Sequence, residues 1–266
     1  MEVKGILHCH STYSYDAKLS LAELRDACIS RGVQFVCMTE HVDELTSNRA
    51  EAFVKECESL SDDRFRFIPG FEVPYKSAHV LMIGCRSFYN NYAPTMVELT
   101  PWVEAASFVV LAHPVRNDFM VDDGLLASLD ALEVWNQQYE GKRVPRVRSL
   151  RLLEALRKRK EVLWGTGGVD LHRTEHFGSP RITLDVHELT EATILEKLTA
   201  GAFIVSSKQS TFFGTLPNTE ELIRKHRFES ALSISIIVLG KFVNKTLAAL
   251  GLSFPKSLTQ LVRRRL

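Results

Sequence analysis

No stretch of the 266-residue chain reaches the run of about 18 uncharged apolar residues that a membrane span requires. The nearest, residues 231–240, stops at Lys241. Cysteine is scarce: Cys9, Cys28, Cys37, Cys57 and Cys85 make an odd set of five with no CxxC spacing. That pattern argues against a disulfide framework or a zinc ribbon and points to a reducing compartment, the cytoplasm. No basic-then-apolar leader opens the sequence; strand-type residues start at Val3 and histidine follows at position 8, so no secretory signal is expected. Internal repeats and low-complexity tracts are also missing. An excess of one charge is absent from the total, which is +1, but not from the parts. Residues 224–266 hold nine Lys and Arg against the single acid Glu229, a local +8 that leaves −7 on the preceding 223 residues.

What is present is ordinary globular composition, 45% apolar and 24% charged, at a length that fits one α/β barrel or one domain with a small appendage. Short β-like runs alternate with helical ones. Strands are expected at 3–7, 34–39, 66–69, 79–84, 108–112, 131–134, 162–166 and 203–206. Helices are expected at 20–31, where Ser20 and Glu23 have capping-box spacing, and at 48–60, 96–105, 144–160 and 190–200. Such βα units imply a mostly parallel sheet with helices outside, and about seven strands would close as a barrel. A boundary is expected within 212–218, around Gly214 and Pro217. It separates a body at 1–213 from a basic, apolar, helical extension at 214–266.

The chemistry-bearing residues sit at strand ends. His8 and His10 stand at i and i+2 after the first strand, so alternation sends both imidazoles to one face and Cys9 to the other. His41 closes the run MTEH, Glu72 the run IPGFE, His113 follows FVVLA, and Asp170 and His172 share VDLH. In parallel βα folds that is where functional loops gather, and imidazoles with carboxylates suit zinc, manganese or iron. His79 lies instead at a strand start. His176, His187 and His226 are expected at the surface or behind the ligands.

The ordered runs HCHSTYSYDA, TEH, GFE, AHVLMIG, AHP, LEVWN and GGVDLH, spread over residues 3–210, resemble the PHP (polymerase and histidinol phosphatase) family. The resemblance implies a distorted seven-stranded βα (TIM-like) barrel and a site for two or three divalent metal ions. By that resemblance His8, His10, Glu72 and Asp170 hold one ion. Glu72 bridges to a second with His79 and His113, and Asp16, His41 and His172 hold a third. Asp16 stands where several relatives place a histidine, which tilts that site toward manganese, magnesium or iron. Glu40 replaces the aspartate of the usual T-D-H and takes no ligand role.

Such a cluster activates water and clamps charge on a phosphoryl group, so no nucleophilic Ser or Cys is needed. His8, His10, Glu72, His113, Asp170 and His172 carry the chemistry in this reading, and Arg173, Arg116 and Arg181 are candidate phosphate clamps. Glu133 and Asn136 are expected to back the site or form its wall, with Trp135 facing the other side. The expected reaction is hydrolysis of a small-molecule phosphomonoester. A nuclease or nucleotide phosphodiesterase, with Trp135 or Phe177 stacking on bases, is the alternative, and a non-catalytic regulatory barrel is the third reading. The apolar, basic tail is expected to pack on the body or on a partner subunit. An anionic membrane or nucleic-acid surface is its other candidate contact.

Overall fold

The computed structural model describes residues 1–216 and 219–249. β1 (Glu2–Cys9) leads into α1 (Leu21–Ile29), β2 (Phe35–Met38), the two-residue β3 (Glu40–His41) and α2 (Ser47–Ser59). Then come β4 (Arg66–Ile68), β5 (Gly70–Tyr75), β6 (Ala78–Ile83), α3 (Met96–Ala105), β7 (Phe108–Leu111) and α4 (Asp123–Ser128). β8 (Ala131–Asn136) runs into α5 (Gln137–Glu140), followed by α6 (Val147–Arg157), β9 (Trp164–Gly168) and β10 (Arg181–Asp185). α7 (Glu191–Thr199), β11 (Phe203–Ser206), β12 (Thr211–Phe213) and α8 (Thr219–Ala249) complete the described chain.

The helices start where the sequence supplies caps. Ser20 accepts from the Glu23 amide, and the Glu23 carboxylate reaches back to the Ser20 amide at 2.9 Å, satisfying two otherwise orphaned donors. The same reciprocal pair, Thr95 with Glu98, opens α3.

The strands form two six-stranded mixed sheets, ordered β12-β11-β10-β1-β2-β4 and β3-β5-β6-β7-β8-β9. This corrects the expectation of about seven mostly parallel strands closing as one barrel. β6 runs antiparallel to both β5 and β7, and β10 and β11 return antiparallel on the β1 side. The sheets nevertheless join on both sides of β1: the chain itself passes from one sheet to the other between β2 and β3, and backbone hydrogen bonds link β1 to the segment after β9. Thr39, between β2 and β3, donates to the Cys9 carbonyl at 2.9 Å. On the other side Val169 donates to Leu7 at 3.0 Å and His10 to Leu171 at 2.9 Å. Both ties flank the end of β1 that carries the two histidines.

The apolar faces meet in one core whose largest fully buried side chains include Trp102, Trp135, Phe35, Phe53, Phe71, Phe108 and Phe203. Phe35 lies directly over Gly5, where an added Cβ would stand 2.2 Å from the ring, so the β1–β2 pairing needs glycine at that point. Beyond β12, α8 packs on α5 and α6 through Leu222, Ile223, His226 and Ser230, whose hydroxyl accepts from the Val147 amide at 3.2 Å. Farther along, Leu232, Ile236, Leu239 and Phe242 are exposed, so these side chains do not pack on the body, the first of the two contacts expected of the tail. Of the boundary stretch, Phe212 belongs to β12, and Pro217 and Asn218 fall outside the described residues, as does the arginine run 263–265. Among the described residues no helix is long and apolar enough to cross a membrane.

Candidate metal centre

Glu72 is the hub. It projects from β5, is 1% exposed, and its two oxygens face five imidazoles. Oε2 lies 3.2 Å from His8 Nε2, 3.3 Å from His10 Nε2 and 3.4 Å from His41 Nδ1. Oε1 lies 2.5 Å from His79 Nδ1 and 3.0 Å from His113 Nε2. Asp170 closes another side, with Oδ1 3.5 Å from His8 Nε2, 3.6 Å from His10 Nε2 and 3.4 Å from His172 Nδ1. Asp16 reaches in from the rim, 3.2 Å from His172 Nε2 and 3.8 Å from His41 Nε2. All nine residues singled out from the sequence therefore meet in one cluster at the junction of the sheets.

Local backbone explains how they meet. The β1–β2 register skips between Leu7 and Cys9, making His8 the extra residue of a bulge with φ 67°. His113 and Asp170 also have positive φ, 22° and 54°. Such conformations cost about 1–3 kcal/mol each outside glycine and collect where function demands them. His79 opens a strand, yet lies with residues that close strands, because β6 runs back antiparallel from the end of β5 and pairs His79 with Pro74.

Several ring and carboxylate atoms are buried with nothing to bond. His10 Nε2, His41 Nδ1, His113 Nδ1 and Asp16 Oδ1 are buried without a hydrogen-bond partner. Four triads, His8–His10–Glu72, His8–His113–Asp170, His41–Glu72–His79 and His10–His41–His172, each bring three donor atoms within 4.8 Å of one another. Orphaned imidazole nitrogens converging on shared carboxylates fit divalent cations. Burial alone would raise Glu72, but the charge of His8 above all holds it well below the usual carboxylate range. Burial would lower His10, yet the carboxylates of Asp170 and Glu72 beside Nε2 lift it to about 9. His41 is driven the other way, to about 3, by burial and by its neighbour His10.

Behind the ligand cluster, Glu133 on β8 accepts from His8 Nδ1 at 3.0 Å, from the His113 amide at 2.7 Å and from Asn136 Nδ2 at 2.9 Å. A second register skip, between Glu133 and Trp135, brings residues 133 and 136 to the same side. The Glu133 carboxylate passes so close to β9 that a Cβ on Gly168 would stand 1.7 Å from its oxygen and 2.8 Å from His8 Cβ. Gly168→Ala should therefore displace Glu133 and loosen His8. We expect metal content to fall with an affinity loss of about 10–100-fold while the far-UV CD spectrum stays native; unchanged metal stoichiometry and affinity would refute this.

The remaining sequence candidates divide. Arg116 is exposed at the mouth and hydrogen-bonds Tyr139, whose half-buried phenol is pushed up to about 12 by burial and whose ring lies 5.0 Å from His113. Arg173 is exposed beside His172 and His176. Arg181 instead sits against α1, near Cys28 and Arg31, and does not join the cluster. Trp135 is fully buried and donates to the Gly141 carbonyl at 2.8 Å, so it offers no surface for a base. Phe177 carries the Arg31 guanidinium at 4.5 Å. His176 Nδ1 accepts from the His172 amide at 3.2 Å, and His187 is exposed. His226, expected at the surface or behind the site, is buried in α8 against the helices instead.

Sequence reading missed Tyr15, 56% exposed and stacked on His41 at 5.3 Å, and Ser11 and Ser14, which with Glu40 form a buried hydrogen-bonded set. Only their places inside HCHSTYSYDA and TEH could have hinted at this. All five cysteines are buried; burial pushes Cys28 to about 12 and Cys85 to about 11, so neither offers a thiolate nucleophile.

Known proteins resemble this chain in sequence and in fold. An 80-residue segment is 35% identical to the DNA polymerase/3'-5' exonuclease PolX of Bacillus subtilis (strain 168), covering 27% of this chain and only 14% of that relative. In structure the chain resembles Endonuclease Q in complex with a 27-mer duplex bearing an abasic lesion, with a TM-score of 0.55 at 15% identity over 75% of this chain and 57% of that one. It likewise resembles the lesion-specific endonuclease PfuEndoQ of Pyrococcus furiosus, with a TM-score of 0.52 at 16% identity over 77% and 58%. The chain thus spans little more than half of these structures, and their likeness speaks to fold. The PHP domain matches residues 7–242, most of the sequence, and the chain accordingly belongs to the PHP domain family.

Proposed function

We propose that this chain hydrolyses a small-molecule phosphomonoester, using two or three divalent ions held by His8, His10, Asp16, His41, Glu72, His79, His113, Asp170 and His172. The observation that carries the reading is the convergence of five imidazoles on the two oxygens of one buried carboxylate, Glu72. Bound there, divalent ions would acidify a water and neutralise a phosphoryl group. Manganese, zinc and iron all suit the donor set. The chain's own part is to place the phosphate and keep the site dry. Arg116, at the mouth beside Tyr139, is suited to grip phosphate oxygens, and exposed Arg173 flanks the opposite rim. Replacing Arg116 by alanine should raise KM for a phosphomonoester about tenfold with little change in kcat, as loss of one charge-assisted contact implies. Steady-state kinetics decide it, and an unchanged KM would remove Arg116 from substrate binding.

In this reading residues 1–213 form the catalytic body, drawn toward a distorted barrel by the ties between the sheets, and residues 214–266 are an extension on it. The body would act in the cytoplasm. The extension's basic and apolar residues would serve a partner or an anionic surface rather than the reaction.

A second reading is nucleic-acid cleavage by the same metals. It draws on the segment shared with the exonuclease PolX and on Tyr15, an exposed ring at the mouth on which a base could stack. The two readings part in one experiment. Purified protein with Mn²⁺ is offered phosphomonoesters and short oligonucleotides, with and without chelator. Chelator-sensitive phosphate release that is lost in His10→Ala supports the first reading. Shortened oligonucleotides with no phosphate release from monoesters would replace it by the second.

A further inference from the structure

Glu40 takes no ligand role, yet it is fully buried, and four hydrogen bonds converge on it. The Ser11 amide donates to Oε1 at 2.9 Å and to Oε2 at 3.2 Å, the Ser11 hydroxyl to Oε1 at 2.6 Å, and the Ser14 hydroxyl to Oε2. Ser14 is 3% exposed and has two further neighbours: the His41 amide, which donates to its oxygen at 2.9 Å, and His10 Nδ1, 3.3 Å away.

A hydroxyl has one proton and two lone pairs. At Ser14 the proton goes to Glu40 and one lone pair takes the His41 amide. The lone pair left over faces His10 Nδ1, which must therefore carry a hydrogen. The neutral ring then has its bare nitrogen at Nε2, the buried atom without a hydrogen-bond partner that faces Glu72 at 3.3 Å and Asp170 at 3.6 Å.

We infer that Glu40 and Ser14 are positioning residues that fix the His10 tautomer through the chain Nδ1–H to Ser14 to Glu40, so that Nε2 is presented to the cluster. Glu133 does the same directly for His8 from the opposite flank. The inference rests on the cluster being a metal site for its purpose, but not for its test.

Glu40→Gln is nearly isosteric and reverses the relay. The new amide group donates to Ser14, whose proton turns to His10 Nδ1 and drives the ring hydrogen to Nε2, where it blocks the donor atom. Glu40→Asp is one methylene shorter but still only accepts, so it keeps the direction. Ser14→Ala cuts the chain. A residue that merely fills space would give the opposite ranking, with Asp worse than Gln.

The test reads nitrogen chemical shifts of His10 in the metal-free full chain at alkaline pH, where the ring is neutral, and Mn²⁺ affinity by titration calorimetry. We expect the Nδ1–H tautomer in the wild type and in Glu40→Asp, and Nε2–H in Glu40→Gln. Mn²⁺ affinity should fall about 10–100-fold in Glu40→Gln and in Ser14→Ala but less in Glu40→Asp. If Glu40→Gln does not fold, Ser14→Ala must show a mixed tautomer. An Nε2–H ring in the wild type, or a ring that keeps Nδ1–H in both Glu40→Gln and Ser14→Ala, overturns the relay. The expected tautomers in a chain that takes up no Mn²⁺ uphold the relay and dispose of the metal reading instead.

Discussion

Glu72→Gln should lose most of its bound metal and lower phosphoester hydrolysis by about 10³-fold or more. The carboxylate offers lone pairs in every direction at both oxygens, and five imidazole nitrogens lie within 3.4 Å of them. An amide of the same shape keeps only one accepting end. Its NH₂ end points donors at nitrogens that should themselves donate electron pairs, and it removes a negative charge between cations. Losing several kcal/mol of charge stabilisation at tenfold per 1.36 kcal/mol gives the stated factor. His187→Ala, at an exposed histidine outside the cluster, is the matched control and should leave both metal content and rate unchanged. Metal analysis of the two purified variants, followed by phosphate release assays, reads the outcome. If Glu72→Gln kept its metal and more than a tenth of its rate, the cluster would not be the working site.

Much of that cluster was legible in the sequence, and the reason is geometric. Strand-end position puts His8, His41, His113 and Asp170 on the same side of the fold, because the strands that carry them run the same way, whereas Glu72 stands inside β5 and joins them by pairing with His41. The helices were legible for local reasons; Ser20–Glu23 announces its own helix start. What escaped depends on contacts between distant segments. The β5–β6 hairpin, which rescues His79 from the wrong end of a strand, has no diagnostic turn in PYKSAH. The skips at His8 and before Trp135 are register events that no single strand's alternation reveals. The Glu40–Ser14–His10 relay joins residues from two segments through a serine that reads, in sequence, as one loop residue among many. Trp135 shows the reverse error, since an aromatic in a chemistry-bearing motif suggested a stacking surface where the fold required a core side chain.

The metal-free and metal-loaded proteins should respond to pH in opposite directions between about 6.5 and 9. In the metal-free chain burial works against a charged His10, but Asp170 and Glu72 lift its pKa from the ordinary 6.5 to about 9. A group raised on folding contributes stability that is complete below its unfolded pKa and fades as pH rises through its folded one. His10 is fully buried, and the shift corresponds to about 3 kcal/mol lost from the metal-free protein by pH 10. Glu72 and Asp170 are shifted down, so their contribution is present at neutral pH and above and disappears only in acid. They leave the alkaline loss uncompensated. Binding Mn²⁺ requires the same proton to leave, so affinity rises over the interval in which the metal-free fold weakens, and ligation adds to stability by mass action. Denaturant unfolding from pH 6 to 10, once in chelator and once in excess Mn²⁺, should give diverging curves. Calorimetric titration at pH 7 in two buffers of different ionisation enthalpy should show protons released as metal binds. Parallel unfolding curves with no proton release would mean that His10 is already neutral in the metal-free fold, and that the carboxylates around it do not hold its proton.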